Sequence, residues 1–452
     1  MTRTFFCSNF MRDKFQRDVR KNYQKERDLL IERVDKGIVH PLELSETGEA
    51  ENKAFGGVTD SQFNFIELSL DKRSIGDGNV PVADWYVGAN PKNFDRKIKF
   101  IDEEVVFIGP IKRHFAHFYL ETLSRCWFFL DKNNLKYKIA FLSSELDTPR
   151  FDLVHDIFKC LGITPDYLIE VKEPTQFKTV IIPEQSYELN MSFHMQYKKL
   201  IDEVKLKIKP MNYKKVYFAK LPERSIGEDE VIDLFESNGY KVFTPEYLSA
   251  EDMIAILKGC EEFVASSGSN AYNALFLNDE AKLTVLNRSE HVHPTQTMID
   301  EMRNFDTTYV DCFTDILPVS WDCGPFMFLY TKHLEEYLKS KSMKYKISKF
   351  EDDKSYQQKY LFFICKWCDF YSNPIYCRLL GLNKRKFAEH IFEFWRKLPF
   401  KVEDFNELST CKKLSLLERI FSIKNGSNHK ILRIFGIKIS FRKKNIKRRK
   451  NA

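Results

Sequence analysis

Five polar residues share one stripe of a predicted helix: His114, His117, Glu121, Ser124 and Arg125. They fall on one side when the chain is turned by about 100° per residue, and the opposite side is apolar. The helix follows a short apolar run, 105–108, which predicts a buried strand that the pair Gly109-Pro110 ends. Because open α/β sheets bind ligands just beyond the ends of their strands, this stripe is the first candidate for chemistry.

The stripe admits three interpretations. Glu121 or His117 could be a general base that removes a proton from an acceptor hydroxyl. His114, His117 and Glu121 could instead form a partial zinc or iron site, because imidazoles and carboxylates bind both metals. The third interpretation is a solvated helix face without a catalytic role. Residue types and spacing leave all three open.

A second polar group lies in the turn Ser266-Ser267-Gly268-Ser269-Asn270, which joins a predicted strand to a helix. A helix N-terminus attracts phosphate, although such a turn can also serve only as a cap. Lys220 and Arg224 follow the first strand of the same stretch, where cations can pair with a diphosphate or simply meet solvent. His291 and His293 lie on the same expected ligand edge, but an HxH pair is weak evidence.

The common nucleotide signatures are missing from the chain. It has no GxGxxG motif and no P-loop. It also has no convincing DxD motif, so the sequence gives no support for a diphosphate chelated through a metal ion.

Strands and helices alternate from residue 100 onward, as is typical of a mostly parallel sheet covered by helices. The first α/β stretch predicts strands 105–108, 138–142, 167–171 and 178–182, and helices 150–161 and 195–209. The second predicts strands 215–219, 241–243, 262–265 and 283–286, and helices 228–237, 250–258 and 271–277. The second stretch has a doubly wound pattern. Upstream, residues 18–34 predict a helix and 63–70 a strand.

The length of 452 residues is too great for one ordinary core, so more than one domain is expected. The pattern predicts five regions: a polar helical or loop region 1–62, α/β domains 63–209 and 210–325, a helical extension 326–428 and a basic amphipathic tail 429–452.

The net charge of +7 comes from the end of the chain. Residues 430–452 carry ten Lys or Arg and no acid, so the rest of the chain has a net charge of −3. This distribution argues against a nucleic-acid partner, which would need a broad basic face. It favours contact of the tail with an anionic membrane over a solubilising tail. The apolar residues expected in the headgroup region are Ile431, Leu432, Ile434, Phe435, Ile437 and Ile439.

The chain lacks sequence features of export or membrane spanning. No stretch approaches the roughly 20 apolar residues of a spanning helix, and the start has no signal-peptide core. The ten cysteines show no regular framework of spacings. A cytoplasmic protein with reduced thiols is therefore predicted.

Two segments resemble glycosyltransferase family 61. The longer one is KVYFAKLPERSIGEDEVIDLFESNGYKVFTPEYLSAEDMIAILKGCEEFVASSGSNAYNALFL, which is similar to the core of the family. The shorter one, RHFAHFYLETLSR, is similar to the helix upstream of that core. Together they cover about 105–290. The resemblance implies a GT-B architecture with two facing Rossmann-like domains, the first for the acceptor and the second for the nucleotide-sugar. It also implies inverting sugar transfer to a glycan acceptor, with no obligatory metal or other cofactor.

The resemblance also implies roles for individual residues. Glu121, or His117 beside it, would be the base, and Lys220 with Arg224 would hold the diphosphate. The turn residues Ser267, Gly268, Ser269 and Asn270 would meet the diphosphate at the helix N-terminus. Lys220 stands where the family often has Arg, and Ser267-Gly268-Ser269 replaces a more usual His-Gly-Ala. Because Lys is a point charge and not a bidentate fork, the donor contacts are expected to differ.

The basic tail resembles endings of bacterial surface-polysaccharide transferases. We therefore expect an enzyme of capsule or cell-surface polysaccharide synthesis that lies on the inner face of the cell membrane and acts on a glycan or lipid-linked glycan. Two alternatives stay open: a metal-dependent hydrolase that uses His114, His117 and Glu121, and a catalytically silent scaffold of the same fold.

Overall fold

The computed structural model describes residues 2–44, 54–75, 80–83, 88–90, 92, 94, 97–112, 114–143, 151–221, 225–313, 317–319, 324–345, 354–397, 421–425, 429–434 and 437–442. The protein is a mixed α/β structure with two compact units. The first unit comprises Met1–Leu221, Glu230–Cys312 and Tyr330–Lys344. The second comprises Pro222–Asp229, Phe313–Leu329 and Tyr345–Ala452.

The strands are numbered in chain order: β1 Arg3–Phe6, β2 Ile31–Asp35, β3 Ile38–Leu44, β4 Ala54–Thr59, β5 Lys72–Ile75, β6 Val80–Ala83, β7 Lys99–Pro110, β8 Lys138–Leu142, β9 Leu168–Glu170, β10 Thr175–Pro183, β11 Tyr187–Glu188, β12 Ser192–Phe193, β13 Lys215–Phe218, β14 Ser225–Ile226, β15 Lys241–Phe243, β16 Glu262–Ser266, β17 Lys282–Asn287, β18 Asp306–Asp311, β19 Phe326–Met327, β20 Phe421–Asn425, β21 His429–Ile434 and β22 Ile437–Arg442.

The described residues form twelve α-helices: α1 Asn9–Val19, α2 Phe115–Leu120, α3 Phe151–Leu161, α4 Met195–Leu206, α5 Glu228–Glu236, α6 Ala250–Gly259, α7 Ser269–Tyr272, α8 Pro294–Arg303, α9 Lys332–Ser340, α10 Lys354–Tyr371, α11 Pro374–Leu379 and α12 Lys384–Lys397. The 3-10 segments include Thr122–Leu130 after α2 and Asn273–Phe276 after α7. Within this part of the chain, no helix is both long and apolar enough to cross a bilayer.

The first unit contains a six-stranded parallel sheet in the order β15-β13-β16-β17-β18-β1. Its central strands β13, β16 and β17 are apolar and largely buried, as strands covered on both faces require. Counted from β13, the order of the first five strands is 2-1-3-4-5, so the chain changes direction between β13 and β16. Ligands of open α/β sheets bind at the carboxyl ends of strands at such a switch point. Lys220 follows β13 and the turn 266–270 follows β16, which places both at this point.

The same unit contains a seven-stranded mixed sheet in the order β4-β3-β10-β7-β8-β9, with β2 also paired to β10. Strands β10, β7, β8 and β9 run parallel to one another, whereas β2 and β3 pair with β10, and β4 with β3, in antiparallel fashion. Val105, Phe107, Phe177 and Val180 are among the fully buried residues of its core. Both predicted α/β halves therefore contribute their sheets to one compact unit, and the domain boundary near residue 210 stays a prediction.

Two predicted elements near the N-terminus are wrong. The helix predicted over 18–34 does not form. Helix α1 ends at Val19, and residues 31–35 form strand β2. Helix α1 begins after Ser8, whose Oγ accepts a hydrogen bond from the amide of Met11 (3.2 Å). The strand predicted over 63–70 is instead irregular and contains the 3-10 turn Glu67–Ser69. The predicted strands and helices of the two α/β stretches occur, with bounds that differ by a few residues and with the predicted helix 271–277 formed by α7 and a 3-10 segment.

The second unit contains helices α10 to α12, in the region predicted to be helical. They pack around Trp367, which is fully buried and whose indole N–H donates to the carbonyl of Pro318 (2.7 Å). The same unit contains strands β20 to β22, which form a three-stranded antiparallel sheet. Strands β21 and β22 lie in the predicted basic tail, for which the sequence had given no secondary structure.

Candidate active site

The carboxyl end of β7 leads into the helix that carries His117 and Glu121. Gly109 has a φ of +82°, and a Cβ at this position would stand 3.2 Å from Oδ1 of Asp71. The backbone at this position of β7 therefore requires glycine. Helix α2 then gives way to 3-10 turns from Thr122 onward. The sequence predicted one continuous α-helix. That prediction is wrong beyond Leu120, because the chain there adopts the narrower 3-10 conformation.

His117 and Glu121 form a hydrogen-bonded pair about one helical turn apart. Nδ1 of His117 contacts Oε2 of Glu121. The Glu121 side chain is 2% exposed and that of His117 is 38% exposed. Nη1 of Arg73, on strand β5, lies 3.8 Å from the other carboxylate oxygen. A buried carboxylate thus orients an imidazole that solvent reaches, an arrangement suited to general-base chemistry.

The charges around Glu121 keep its carboxylate ionised. Burial by itself raises the pKa of Glu121, but His117, Lys112 and Arg73 outweigh that effect and lower the pKa to about 2. Nζ of Lys112 also lies 3.4 Å from Oδ2 of Asp71. Burial raises the pKa of Asp71, and the neighbouring Lys112 opposes that rise. An acid with a pKa of about 2 binds almost no protons near neutral pH, so Glu121 is a weak base.

The depressed pKa of Glu121 predicts a stability effect at acid pH. Its folded-state pKa of about 2 lies below the ordinary value of 4.5. The stabilisation is therefore complete above about pH 4.5 and is lost as the pH falls toward 2. The shift corresponds to about 3 kcal/mol of unfolding free energy. When the pH falls from about 5 to 3, the free energy of unfolding should decrease less in Glu121→Gln than in the unmodified protein. Urea unfolding at each pH measures this difference.

Glu261→Gln is the matched control for that measurement, because the Glu261 side chain is 66% exposed. It should show the same acid dependence as the unmodified protein. Equal acid dependence of Glu121→Gln and the unmodified protein would contradict an ionised, stabilising Glu121.

Arg125, which the sequence placed on the polar stripe, is a structural residue. Its side chain is fully buried. Its guanidinium donates to the carbonyls of Leu68 (3.0 Å), Leu70 (2.7 Å) and Pro183 (2.5 Å). These bonds join the segment before β5 to the end of β10. Arg125 therefore helps to hold the segment that leads to Asp71 and Arg73.

His114 lies beside the pair, as the sequence predicted. Its ring centroid is 5.2 Å from that of His117, and the rings are inclined by 65°. Among the described residues, no group of three or more His, Cys, Asp or Glu side chains is arranged to hold a metal ion. The metal site predicted as an alternative from His114, His117 and Glu121 thus has no complete ligand set in this part of the chain.

Lys220 and the turn 266–270 come together at the switch point of the six-stranded sheet. Lys220 is buried, and its Nζ lies 3.4 Å from Oγ of Ser269. Gly268 has a φ of +95°, which favours glycine. Nδ2 of Asn270 lies 3.3 Å from the carbonyl oxygens of both Phe218 and Ala219. Asn270 therefore fixes the turn to the end of β13, while Ser267, Gly268 and Ser269 form the turn itself.

The sequence reasoning missed Arg288 at this edge. Arg288 follows β17, the neighbour of β16, and is buried; its amide lies 3.4 Å from Oγ of Ser267. Within the described residues, the buried Oγ of Ser266 has no hydrogen-bond partner. The argument that selected Lys220, a cation directly after a parallel strand, also applies to Arg288. Arg224 lies outside the described residues.

Of the two weaker candidates in the loop after β17, His293 is buried and its Nδ1 lies 3.2 Å from the hydroxyl of Tyr272. His291 lies in the same loop, and its amide is 3.4 Å from Oγ of Ser289. Neither histidine belongs to the His117–Glu121 pair.

Direct contacts link the surroundings of the two candidate groups. The rings of Tyr119 and Phe276 meet with centroids 4.7 Å apart. The Tyr187 hydroxyl donates to the carbonyl of Thr295 (3.4 Å). Tyr187 also lies near Glu121, because burial first and the Glu121 charge second raise the pKa of Tyr187. The amide of Thr295 in turn donates to Asn190 (3.1 Å). The acid–base pair and the switch point therefore belong to one packed region of the first unit.

Comparison with known proteins matches the middle of the chain to a family. Residues 115–284 match the family model described as Glycosyltransferase 61. The matched span contains the His117–Glu121 pair, Lys220 and the turn 266–270. No curated protein matches the chain at a significant level. Over residues 115–284, the chain carries a domain of glycosyltransferase family 61.

Proposed function

We propose that this protein is an inverting, metal-independent glycosyltransferase that moves a sugar from a nucleotide-sugar to a glycan hydroxyl. The family supports sugar transfer as the reaction class. The observation that carries the mechanism is the buried Glu121 carboxylate bonded to the accessible imidazole of His117. We also propose that the two sheets of the first unit correspond to the two Rossmann-like layers of a GT-B enzyme.

His117 is the proposed base, and Glu121 orients it. In an inverting transfer, the acceptor oxygen attacks the anomeric carbon as the bond to the diphosphate breaks on the opposite face. The acceptor proton passes to Nε2 of His117, since Nδ1 faces Glu121. The ionised carboxylate then stabilises the imidazolium. The low pKa of Glu121 favours this division of roles over direct proton transfer to Glu121.

The departing diphosphate is proposed to bind at the switch point of the six-stranded sheet. Lys220 would supply a buried charge, and the hydroxyls of Ser266 and Ser269 would donate hydrogen bonds. Arg288, at the end of the next strand, would add a second cation. The role of Arg224 in donor binding rests on the family resemblance alone. Cations in a water-poor site stabilise negative charge that develops on a leaving group, without a metal ion.

The proposed setting is the synthesis of capsule or related cell-surface polysaccharide in a bacterium. The acceptor would be a glycan or a lipid-linked glycan, and the enzyme would work on the cytoplasmic face of the membrane. The ten cations of residues 430–452 support attraction to anionic lipid. Nucleic acid is not a proposed partner.

A donor hydrolysis screen with excess chelator tests the proposed function. We expect one nucleotide-sugar in a panel to be cleaved slowly, because transferases can pass the sugar to water. The rate should not change with chelator, and NMR should show a sugar released with inverted anomeric configuration. Bound zinc or iron that is lost in His114→Ala would favour the hydrolase alternative. A folded protein that binds no nucleotide in calorimetry would favour the scaffold.

A further inference from the structure

The strand register at the end of the chain separates apolar from charged residues. Strand β21 pairs with β20 on one side and β22 on the other, both antiparallel. Directly opposed residues share a face, and successive residues alternate between faces. The register therefore places seven apolar positions on one face: Phe421, Ile423, Leu432, Ile434, Ile437, Ile439 and, opposite Lys430, Phe441. Asn425 and Lys430 complete that face.

The other face is cationic. It contains Lys424, Arg433, Lys438 and Arg442, together with Ser422, His429, Ser440 and one aliphatic residue, Ile431. This placement corrects the sequence prediction, which put Ile431 with Leu432 and Ile434 in one membrane-facing group. Phe435, a member of the same predicted group, lies outside the described residues. The segregation follows the period of two along each strand, so a helical periodicity would not reveal it.

An apolar face of this kind needs a partner. A small sheet is stable when its hydrophobic face is covered. Among the described elements, strands β20 to β22 pack substantially only against one another. A second copy of the sheet could cover the face, but it would bring two strongly basic chain ends together. A surface with hydrocarbon beneath a layer of negative charge would cover the apolar face with its hydrocarbon and attract the cationic face with its charge.

We propose that residues 421–442 form an amphipathic sheet that lies flat on an anionic bilayer. This inference deepens the membrane association proposed above. The Leu432 face enters the boundary between headgroups and acyl chains, as interfacial helices do to a depth of about 5–10 Å. The Arg433 face then lies about level with the lipid phosphates, because it is on the opposite side of a single sheet. The six Lys and Arg residues of 443–450 follow directly and add attraction to the same surface.

Exchange of neighbouring residues tests the sheet without a change in composition or net charge. One full-length variant combines Leu432→Arg, Arg433→Leu, Lys438→Ile and Ile439→Lys, which adds two cations to the apolar face beside Lys430. The matched control combines Lys438→Ser with Ser440→Lys, which moves a cation within its own face. Binding is measured by sedimentation with phosphatidylcholine vesicles that contain about a third phosphatidylglycerol, or none.

The unmodified protein and the same-face control should bind the anionic vesicles with similar affinity. The cross-face variant should bind at least about tenfold more weakly, because its apolar face now contains two additional cations. Unchanged thermal unfolding of the cross-face variant would show that the rest of the chain folds normally.

Equal binding of both variants would overturn the sheet and leave a simple polycation as the membrane contact. No binding of the unmodified protein to anionic vesicles would overturn the membrane association as well. A third outcome would also overturn the proposal: without lipid, the unmodified protein and the same-face control form dimers and the cross-face variant does not. That result would show that a second copy covers the apolar face. None of these outcomes depends on sugar transfer, so the proposed enzymatic function is tested separately.

Discussion

Replacement of His117 by glutamine should lower kcat for sugar transfer by about a thousandfold, because general-base catalysis contributes about 100- to 10,000-fold. Glutamine keeps a polar group near Glu121 but cannot accept the acceptor proton near neutral pH. Donor affinity should stay nearly unchanged, since the proposed diphosphate site is on the other sheet. Initial rates with a saturating donor and calorimetric titration of the same donor give the two quantities.

His155→Gln is the matched control, because His155 is exposed on helix α3, and it should keep full activity. Glu121→Gln separates the two candidate bases. If Glu121 only orients the imidazole, its replacement should cost less kcat than replacement of His117. A His117→Gln variant that keeps most of its turnover while Glu121→Gln is inactive would assign the base to Glu121.

The surroundings of the pair explain why its chemistry depends on the fold. Asp71 and Arg73 lie far upstream of Glu121 in sequence, and Lys112 lies on the loop before α2. Folding brings these charges together: Lys112 lies 3.4 Å from the Asp71 carboxylate, and its charge also lowers the pKa of Glu121. The helix pattern could identify His117 and Glu121 as neighbours. It could not show that Glu121 would be buried and ionised.

The sequence predicted the local elements better than the long-range pairing. Strands such as β8, β13 and β16 are short apolar runs between turn signals, so each is recognisable from its own residues. By contrast, Arg3 of β1 pairs with Thr307 of β18, and β2 pairs with β10. Partners this distant in sequence leave no local pattern. Strand β1 therefore completes the six-stranded sheet without a signal that single-sequence reasoning could use.

The candidate site shows the same division. Lys220 and the turn 266–270 were predictable because both follow the strands of one α/β stretch. Arg125 was misplaced because a constant helical turn was assumed beyond Leu120, where 3-10 geometry begins. The register of β20 to β22 was not predictable either, since the choice of pairing partners leaves no local pattern. Alternation sorts the residues of each strand into two faces, and the register then shows which residues of the three strands share a face.

Replacement of Lys220 by methionine should weaken donor binding by about a hundredfold. A hydrogen bond to a charged group contributes about 1.5–3 kcal/mol, and about 1.4 kcal/mol corresponds to a factor of ten. Methionine keeps the length and apolar stem of lysine but removes the cation at the end of β13. Affinity for the nucleoside diphosphate, measured by calorimetry, should fall, whereas affinity for the nucleoside alone should not.

Lys215→Met is the matched control, since Lys215 is on the same strand at its opposite end and its side chain is 44% exposed. It should bind the diphosphate as the unmodified protein does. Lys220→Arg should retain most of the affinity, because it restores a cation at the position where the family often has arginine. Equal loss of nucleoside and nucleoside diphosphate binding in Lys220→Met would indicate a distorted switch point, and unchanged binding of both would remove Lys220 from the donor site. A selective loss of the diphosphate, restored by arginine, is the outcome that a leaving-group cation requires.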